Sequence, residues 1–534
     1  MPAKRARLVF AALWIAIGVY AFAPQRASEA QFRAVRSYIL QTWSRLTRSN
    51  KQLAAAAVDP KFPAPADGRW PVYVSQTENR DAVEQVVRRE MTAGDYNRIA
   101  IRQLPRNLSE LSQQGLLYLP LPYVVPGGRF NEMYGWDSYF IQVGLLRDNQ
   151  IALAKDLADN FLYEIRNYGK ILNANRTYYL TRSQPPFLTE MVLGVYRRTR
   201  DRVWLERAVP SIENYYRYWT NEPHLTPDTG LSRYYDSGDG PAPEVVSAER
   251  DANGHTHYEL VQEYYRTHPV ADYDLSQYYD PKTGRLTALF YKGDRSMRES
   301  GFDPSNRFGP FNIDIIHYNP VCLNSLLYLM ERDMGEIMTI LGRDSDAAVW
   351  RTRAADRRDK INRLMWDSVD GLYYDYNFAS RKTRKYPFLT TFYPLWAGIA
   401  TEEQTRRVVA NLDKFERAGG LQTSTNVSGS QWDAPFGWAP LEMIAVEGLR
   451  RYGFNQDADR ITARFLSLVL DQFAQHHTIV EKYDVVRRSA EVRVGFGYRS
   501  NEIGFGWTNA AFEELYAELP AKSKPAVLQL DWQR

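Results

Sequence analysis

Ile151-Ala152-Leu153-Ala154-Lys155-Asp156-Leu157-Ala158-Asp159-Asn160-Phe161-Leu162-Tyr163-Glu164-Ile165-Arg166 sets the fold class. Ala154, Leu157, Ala158, Phe161, Leu162 and Ile165 recur at i, i+3, i+4, i+7, i+8 and i+11, the period of an amphipathic helix. Similar patterns occupy 187–199, 202–219, 319–342, 345–365, 402–415, 440–452 and 455–475. Short polar turns such as Arg147-Asp148-Asn149 and Gly453-Phe454-Asn455 join them, and short turns make neighbouring helices antiparallel. Extended patterns are confined to Gly371–Asn377 and parts of 228–292. The expected fold is all-α: a single toroid of paired antiparallel helices, with irregular loops and short strands over one end. The stretch 221–300, rich in Gly, Pro, Asp and Tyr, has weak periodicity, and long irregular stretches in compact domains often cover a site.

The chain has 534 residues, enough for a large core. Its net charge of +4 argues against nucleic acid as a partner. Thirty-six tyrosines (36) exceed what a core requires and suggest an aromatic-lined cleft. The one cysteine, Cys322, lies in an apolar helical run and reads as a packed thiol. His255, His257, His476 and His477 lack zinc spacing, so neither metal nor cofactor is expected.

Lys4, Arg5 and Arg7 precede an apolar stretch, Leu8 to Ala23, the pattern of a secretory signal. Pro24 directly after Ala21-Phe22-Ala23 would hinder cleavage, so an uncleaved membrane anchor is also expected as an option. Residues 31–58 read as a basic amphipathic helix, with Phe32, Val35, Ile39, Trp43 and Leu46 near one face, serving as a stalk or membrane-surface helix. Pro60, Pro63, Pro65 and Gly68 then mark a linker. The expected organisation is a signal or anchor over 1–30, stalk and linker over 31–69, a toroid over 70–520 and a tail over 521–534. Export to the periplasm and a monomeric state are expected.

The run Pro126-Gly127-Gly128-Arg129-Phe130-Asn131-Glu132-Met133-Tyr134-Gly135-Trp136-Asp137-Ser138-Tyr139-Phe140 packs a tight turn, a cation, two carboxylates and five aromatic rings together. Aromatic faces beside charged hydrogen-bonding groups suit a sugar, whose C–H faces pack on rings while its hydroxyls need fixed partners. The run resembles the first signature of the trehalase family of glycoside hydrolases. Gln431-Trp432-Asp433-Ala434-Pro435-Phe436-Gly437-Trp438-Ala439-Pro440 is similar to the second. Asn173–Phe187, Glu299–Asp303, Val480–Val485 and Gly504–Asn509 resemble further family blocks in the same order, over about residues 70–517. The periplasmic bacterial type is the form suggested.

The resemblance implies an (α/α)6 toroid and inverting hydrolysis of α,α-trehalose, a reaction that uses two carboxyls. It implies Asp303 as general acid and Glu481 as general base. It implies sugar contacts from Arg129, Asn173, Arg182 and Glu244, and a pocket wall from Phe130, Trp136, Asp137, Gly301 and Trp438; Glu502, outside the family's pattern, is expected as a replacement sugar contact. Two departures touch the sugar-holding shell. Ala242 stands where the family has an arginine, and Tyr498 where it has a glutamate, with Glu502 four places on. Hydrolysis of another small α-glucoside, and a catalytically weak sugar-binding protein tethered to the envelope, remain open at this stage.

Overall fold

The segment Ile151–Tyr168 is a helix, and Ala154, Leu157, Ala158, Phe161, Leu162 and Ile165 are its buried stripe. Gly169 ends it at φ +77°, a left-handed cap that glycine adopts without a β-carbon penalty. The structure, a computed structural model, describes residues 29–246, 250, 254–498, 500–524 and 527. The expected signal or anchor over 1–30 lies outside the described residues but for 29 and 30, and the tail expected over 521–534 lies outside them but for 521–524 and 527.

Among the described residues, helices in two concentric rings form the frame. They are α1 (Glu29–Leu46), α2 (Gly135–Arg147), α3 (Ile151–Tyr168), α4 (Leu188–Thr199), α5 (Arg202–Thr220), α6 (Val321–Ile340), α7 (Asp344–Leu364), α8 (Tyr393–Ala397), α9 (Glu402–Val409), α10 (Ala439–Arg451), α11 (Asn455–His476) and α12 (Gly506–Glu518). The even-numbered helices form the inner ring: each packs on the next, and α12 returns to α2. Their sequences are apolar nearly all round, as α6 shows with 15 buried residues among its 20. The outer helices are amphipathic; α7 buries only Ala347, Trp350, Ala354, Arg357 and Ile361. This is the (α/α)6 toroid.

The stalk and linker expected over 31–69 do not stand apart. Helix α1 is the outer partner of α12 and completes the ring. The apolar stripe that suggested a membrane face meets protein instead: Phe32 lies on Phe512 and Tyr516, with ring centroids 5.6 and 3.9 Å away. Val35, Ile39 and Trp43 are fully buried, and Trp43 Nε1 donates to Asp148 Oδ2 at 2.7 Å. The following segment is tied down as well. Arg176, fully buried, donates to the carbonyls of Ala56, Ala57 and Val58, and Tyr178 donates to Asp59.

A parallel sheet of β1 (Trp70–Val74), β2 (Ile99–Gln103) and β3 (Leu116–Leu117), with β1 central, lies beside the toroid. A short antiparallel pair, β4 (Phe436–Trp438) and β5 (Lys482–Asp484), sets Trp438 opposite Lys482. The family-like blocks directly precede inner helices: Pro126–Tyr134 leads into α2, Asn173–Phe187 into α4, Gln431–Trp438 into α10 and Gly504–Phe505 into α12. They therefore gather at the N-terminal ends of that ring, where helix dipoles favour negative charge.

Candidate active site

A cavity of about 260 Å³ opens at this end, and Asp137, Asp303 and Glu481 all line it. Asp303 hangs on the turn after the helix Ala288–Glu299. Gly301 in that turn has φ +76°, and a β-carbon there would lie 3.0 Å from the Trp136 indole, so the chain can pass Trp136 only without a side chain. Phe302 is held edge-on by Trp136, Trp432 and Phe388, at 5.4, 5.1 and 5.4 Å. Gln431 Nε2 donates to the Asp303 carbonyl, which leaves the carboxyl facing the cavity. Burial pushes that carboxyl up to about 7, against the pull of Arg298 and Arg182 and with a smaller push from Glu481. A carboxyl so poised holds its proton over much of the range near neutrality.

Glu481 precedes β5 and is 1% exposed. Its Oε2 accepts from Lys482 Nζ at 2.8 Å and its Oε1 from the Tyr498 hydroxyl at 3.1 Å. Its own N–H donates to the Glu502 carbonyl, and Trp507 Nε1 donates to its carbonyl at 3.0 Å. Burial raises its affinity for a proton, and the Lys482 ammonium opposes that rise. Lys482 sits over the rings of Trp438 and Tyr498, at 5.0 and 4.7 Å, and is itself fully buried. A solvated Glu–Lys pair, the plain reading of that dipeptide, is thus excluded.

Asp137 lies in the first turn of α2 and is 5% exposed. Burial, then Glu481 and Asp303, raise it well above the usual carboxylate range, and it lines the same cavity as both. Arg182 donates Nε to Asn173 Oδ1 at 2.7 Å and Nη2 to Glu244 Oε1 at 2.6 Å, and it stacks over Tyr179. Glu244 Oε2 has no protein partner among the described residues. Arg129 lies over the Phe130 and Tyr498 rings, with its Nε 3.4 Å from Glu502 Oε1.

The structure thus brings Asp303, Glu481, Arg129, Phe130, Trp136, Asp137, Asn173, Arg182, Glu244 and Gly301 to one cavity. Two of the expected site residues, the wall residue Trp438 and the sugar contact Glu502, stand behind it. Trp438 stacks on Trp432 at 3.8 Å, with its Nε1 bonded to the Gln431 carbonyl, so Trp432 presents the cavity face and Trp438 backs it. Glu502 accepts from Arg129 N at 3.0 Å and from Ser500, and a β-carbon at Gly128 would collide with it. It holds the Arg129 turn and does not reach the cavity. Arg298, Lys61, Tyr179, Gln184, His257 and Phe496 also line the cavity and were not singled out from sequence. Arg298 is the informative omission: it sits five places before Asp303, and no pattern in the sequence marks that spacing. Ala242 is fully buried within an apolar cluster, while Arg298 and Arg250 are among the residues that line the cavity.

Residues 20–519 match the family model described as Trehalase. The chain is 39% identical over 429 residues to the cytosolic neutral trehalase of Saccharomyces cerevisiae, covering 73% of this chain and 56% of that protein. It is 37% identical over 436 residues to the cytosolic neutral trehalase of Neurospora crassa, covering 73% and 57%. The chain thus spans just over half the length of these relatives. Among solved structures, neutral trehalase Nth1 from Saccharomyces cerevisiae superposes with a TM-score of 0.78 at 33% identity, covering 93% of this chain and 96% of that one. A mannosylglycerate hydrolase from Thermus thermophilus shares the fold at a TM-score of 0.52 and 18% identity, covering 74% and 96%. The relatives correct one expectation. They are fungal neutral trehalases named as cytosolic, which overturns the expectation of a periplasmic or exported protein with a membrane anchor as an option. No helix among the described residues is long and apolar enough to cross a membrane.

Proposed function

This chain belongs to the trehalase family of glycoside hydrolases, and we propose that it hydrolyses α,α-trehalose to two glucose molecules by inversion. The observation that carries the reading is the pair of carboxyls in one cavity with different partners. Asp303 holds a proton near neutrality, and Glu481 is clamped to a buried ammonium. In this reading Asp303 gives its proton to the glycosidic oxygen as the C–O bond breaks. Glu481 takes a proton from a water that attacks the anomeric carbon from the opposite face. The attacked glucose leaves as the β-anomer and the other as the α-anomer, and proton transfers reset both carboxyls.

The remaining cavity groups have roles that fit this chemistry. Asp137, whose proton affinity burial raises, can donate to a sugar hydroxyl beside the Glu481 carboxylate. The Arg182–Asn173–Glu244 cluster offers the free oxygen of Glu244 as an acceptor. Trp136, Trp432 and Phe130 supply apolar faces. Arg298 and Arg250 line the cavity in which residue 242 has no charged side chain, so trehalose is the substrate proposed ahead of another small α-glucoside. The test is a side-by-side rate comparison on trehalose and other small α-glucosides. Trehalose is expected to be the best substrate; a clear preference for another sugar, or binding without turnover, overturns the reading.

A further inference from the structure

Arg298 is the cation nearest the candidate acid, with Nη1 3.9 Å from Asp303 Oδ2. An uncompensated guanidinium at that distance would strip the carboxyl of the proton it must deliver. Arg298 is not uncompensated. One turn earlier on the same helix, Asp294 accepts its Nη2 at 2.9 Å and its Nε at 3.2 Å. Asp294 is 1% exposed and accepts a third bond, at 2.8 Å, from the Tyr258 hydroxyl. That hydroxyl in turn accepts the Ala242 N–H at 3.0 Å. One phenol therefore ties the helix His257–Thr267, the segment carrying Glu244 and the acid-bearing helix together.

We infer that Asp294, clamped by Tyr258, is a positioning residue that holds Arg298 and neutralises its charge, and so sets the pH above which Asp303 loses its proton. The inference rests on the proposed role of Asp303 as the acid. The groups facing Asp303 are Arg298 from its own helix, Arg182 from the segment before α4, Glu481 beside β5, Asp137 on α2 and Tyr498. Those facing Asp294 are Arg298, His257, Tyr258 and Tyr291. Burial beside Arg298 keeps His257 down to about 4, so it adds no charge near neutrality. Asp294 is itself held below the usual carboxylate range: burial raises it, and Arg298 and its hydrogen bonds outweigh that rise. Arg182 has its own carboxylate partners, Glu244 and Asp236, which leaves the Arg298–Asp294 pair as the adjustable charge beside the acid.

The test is the pH profile of kcat/KM on trehalose for the full chain and for Asp294→Asn, Asp294→Glu and Arg298→Gln. Asp294→Asn leaves the guanidinium bare, so the alkaline limb should move to lower pH by about one unit. Arg298→Gln removes the cation, so that limb should move to higher pH whatever happens to the rate itself. Asp294→Glu restores the charge and should bring the limb back to that of the parent. Opposite shifts from two variants on one helix would not follow from a merely structural role. A uniform loss at all pH values, with the limb unmoved in both Asp294→Asn and Arg298→Gln, overturns the inference. Should Asp294→Asn not fold, Arg298→Gln alone decides by whether its limb rises. A parent that releases no glucose refutes the trehalase reading instead, and a parent that hydrolyses with unmoved variant limbs refutes only the role given to Asp294.

Discussion

Replacing Lys482 by methionine removes the cation from a pair that water does not reach. Lys482 Nζ lies 2.8 Å from Glu481 Oε2, and the two side chains are 0% and 1% exposed. Burial raises the proton affinity of Glu481, and Lys482 works against that rise. A neighbouring opposite charge commonly lowers a carboxyl by about 1–3 units, and each unit is worth about 1.36 kcal/mol. Without the ammonium, Glu481 keeps its proton to a pH higher by about 1–3 units. A general base must be ionised, so the acidic limb of kcat/KM should climb by that amount while the alkaline limb stays. Breaking a buried pair also costs about 3–5 kcal/mol of stability. The sign follows from linkage: the folded carboxyl binds its proton more tightly than the unfolded one. The variant should therefore lie nearest the parent below the ordinary glutamate value of about 4.3, with its deficit growing as pH rises through the folded value. Rate profiles and thermal melts across the same pH series measure both effects. A folded variant with an unmoved acidic limb refutes the claim that Lys482 keeps Glu481 ionised.

Asp303→Asn should lower turnover by about 10²–10⁴-fold and leave the melt close to that of the parent. Glu481→Gln should lower turnover comparably and also reduce stability, because Lys482 loses its buried partner; steady-state rates with melting curves check both. Ala242→Arg should destabilise by at least about 1–3 kcal/mol through overpacking, since the methyl lies in a closed apolar cluster, and should not improve trehalose turnover. Trp43→Ala should cost about 3–5 kcal/mol in chemical denaturation, and a near-parental value would mean that α1 does not complete the ring.

The inner and outer helices were legible where a 3.6-residue stripe ran for several turns, as in α3. Helix α1 was legible as a helix but not as a toroid member. An apolar stripe with arginines on its other face suits a bilayer or another helix equally, and only Phe512, Tyr516 and Asp148 decide between them. The strands β1 and β2 escaped notice because a short buried parallel strand has no alternation to read. Most of the cavity was legible through motif blocks. Glu502 and Trp438 were misplaced by one layer, because a motif records that a residue matters and not which way it faces. Lys482 and Arg298 act through burial and distance, Lys482 with a sequence neighbour and Arg298 with a carboxyl five residues on, and neither property is written in composition.

The central claim is inverting hydrolysis of trehalose between Asp303 and Glu481. Proton NMR of glucose in the first moments after mixing the protein with trehalose tests it most directly, before mutarotation blurs the anomers. α- and β-Glucose are expected in equal amounts at the start. Glucose appearing only as the α-anomer would mean retention, and no glucose at all would mean that the paired carboxyls serve another end.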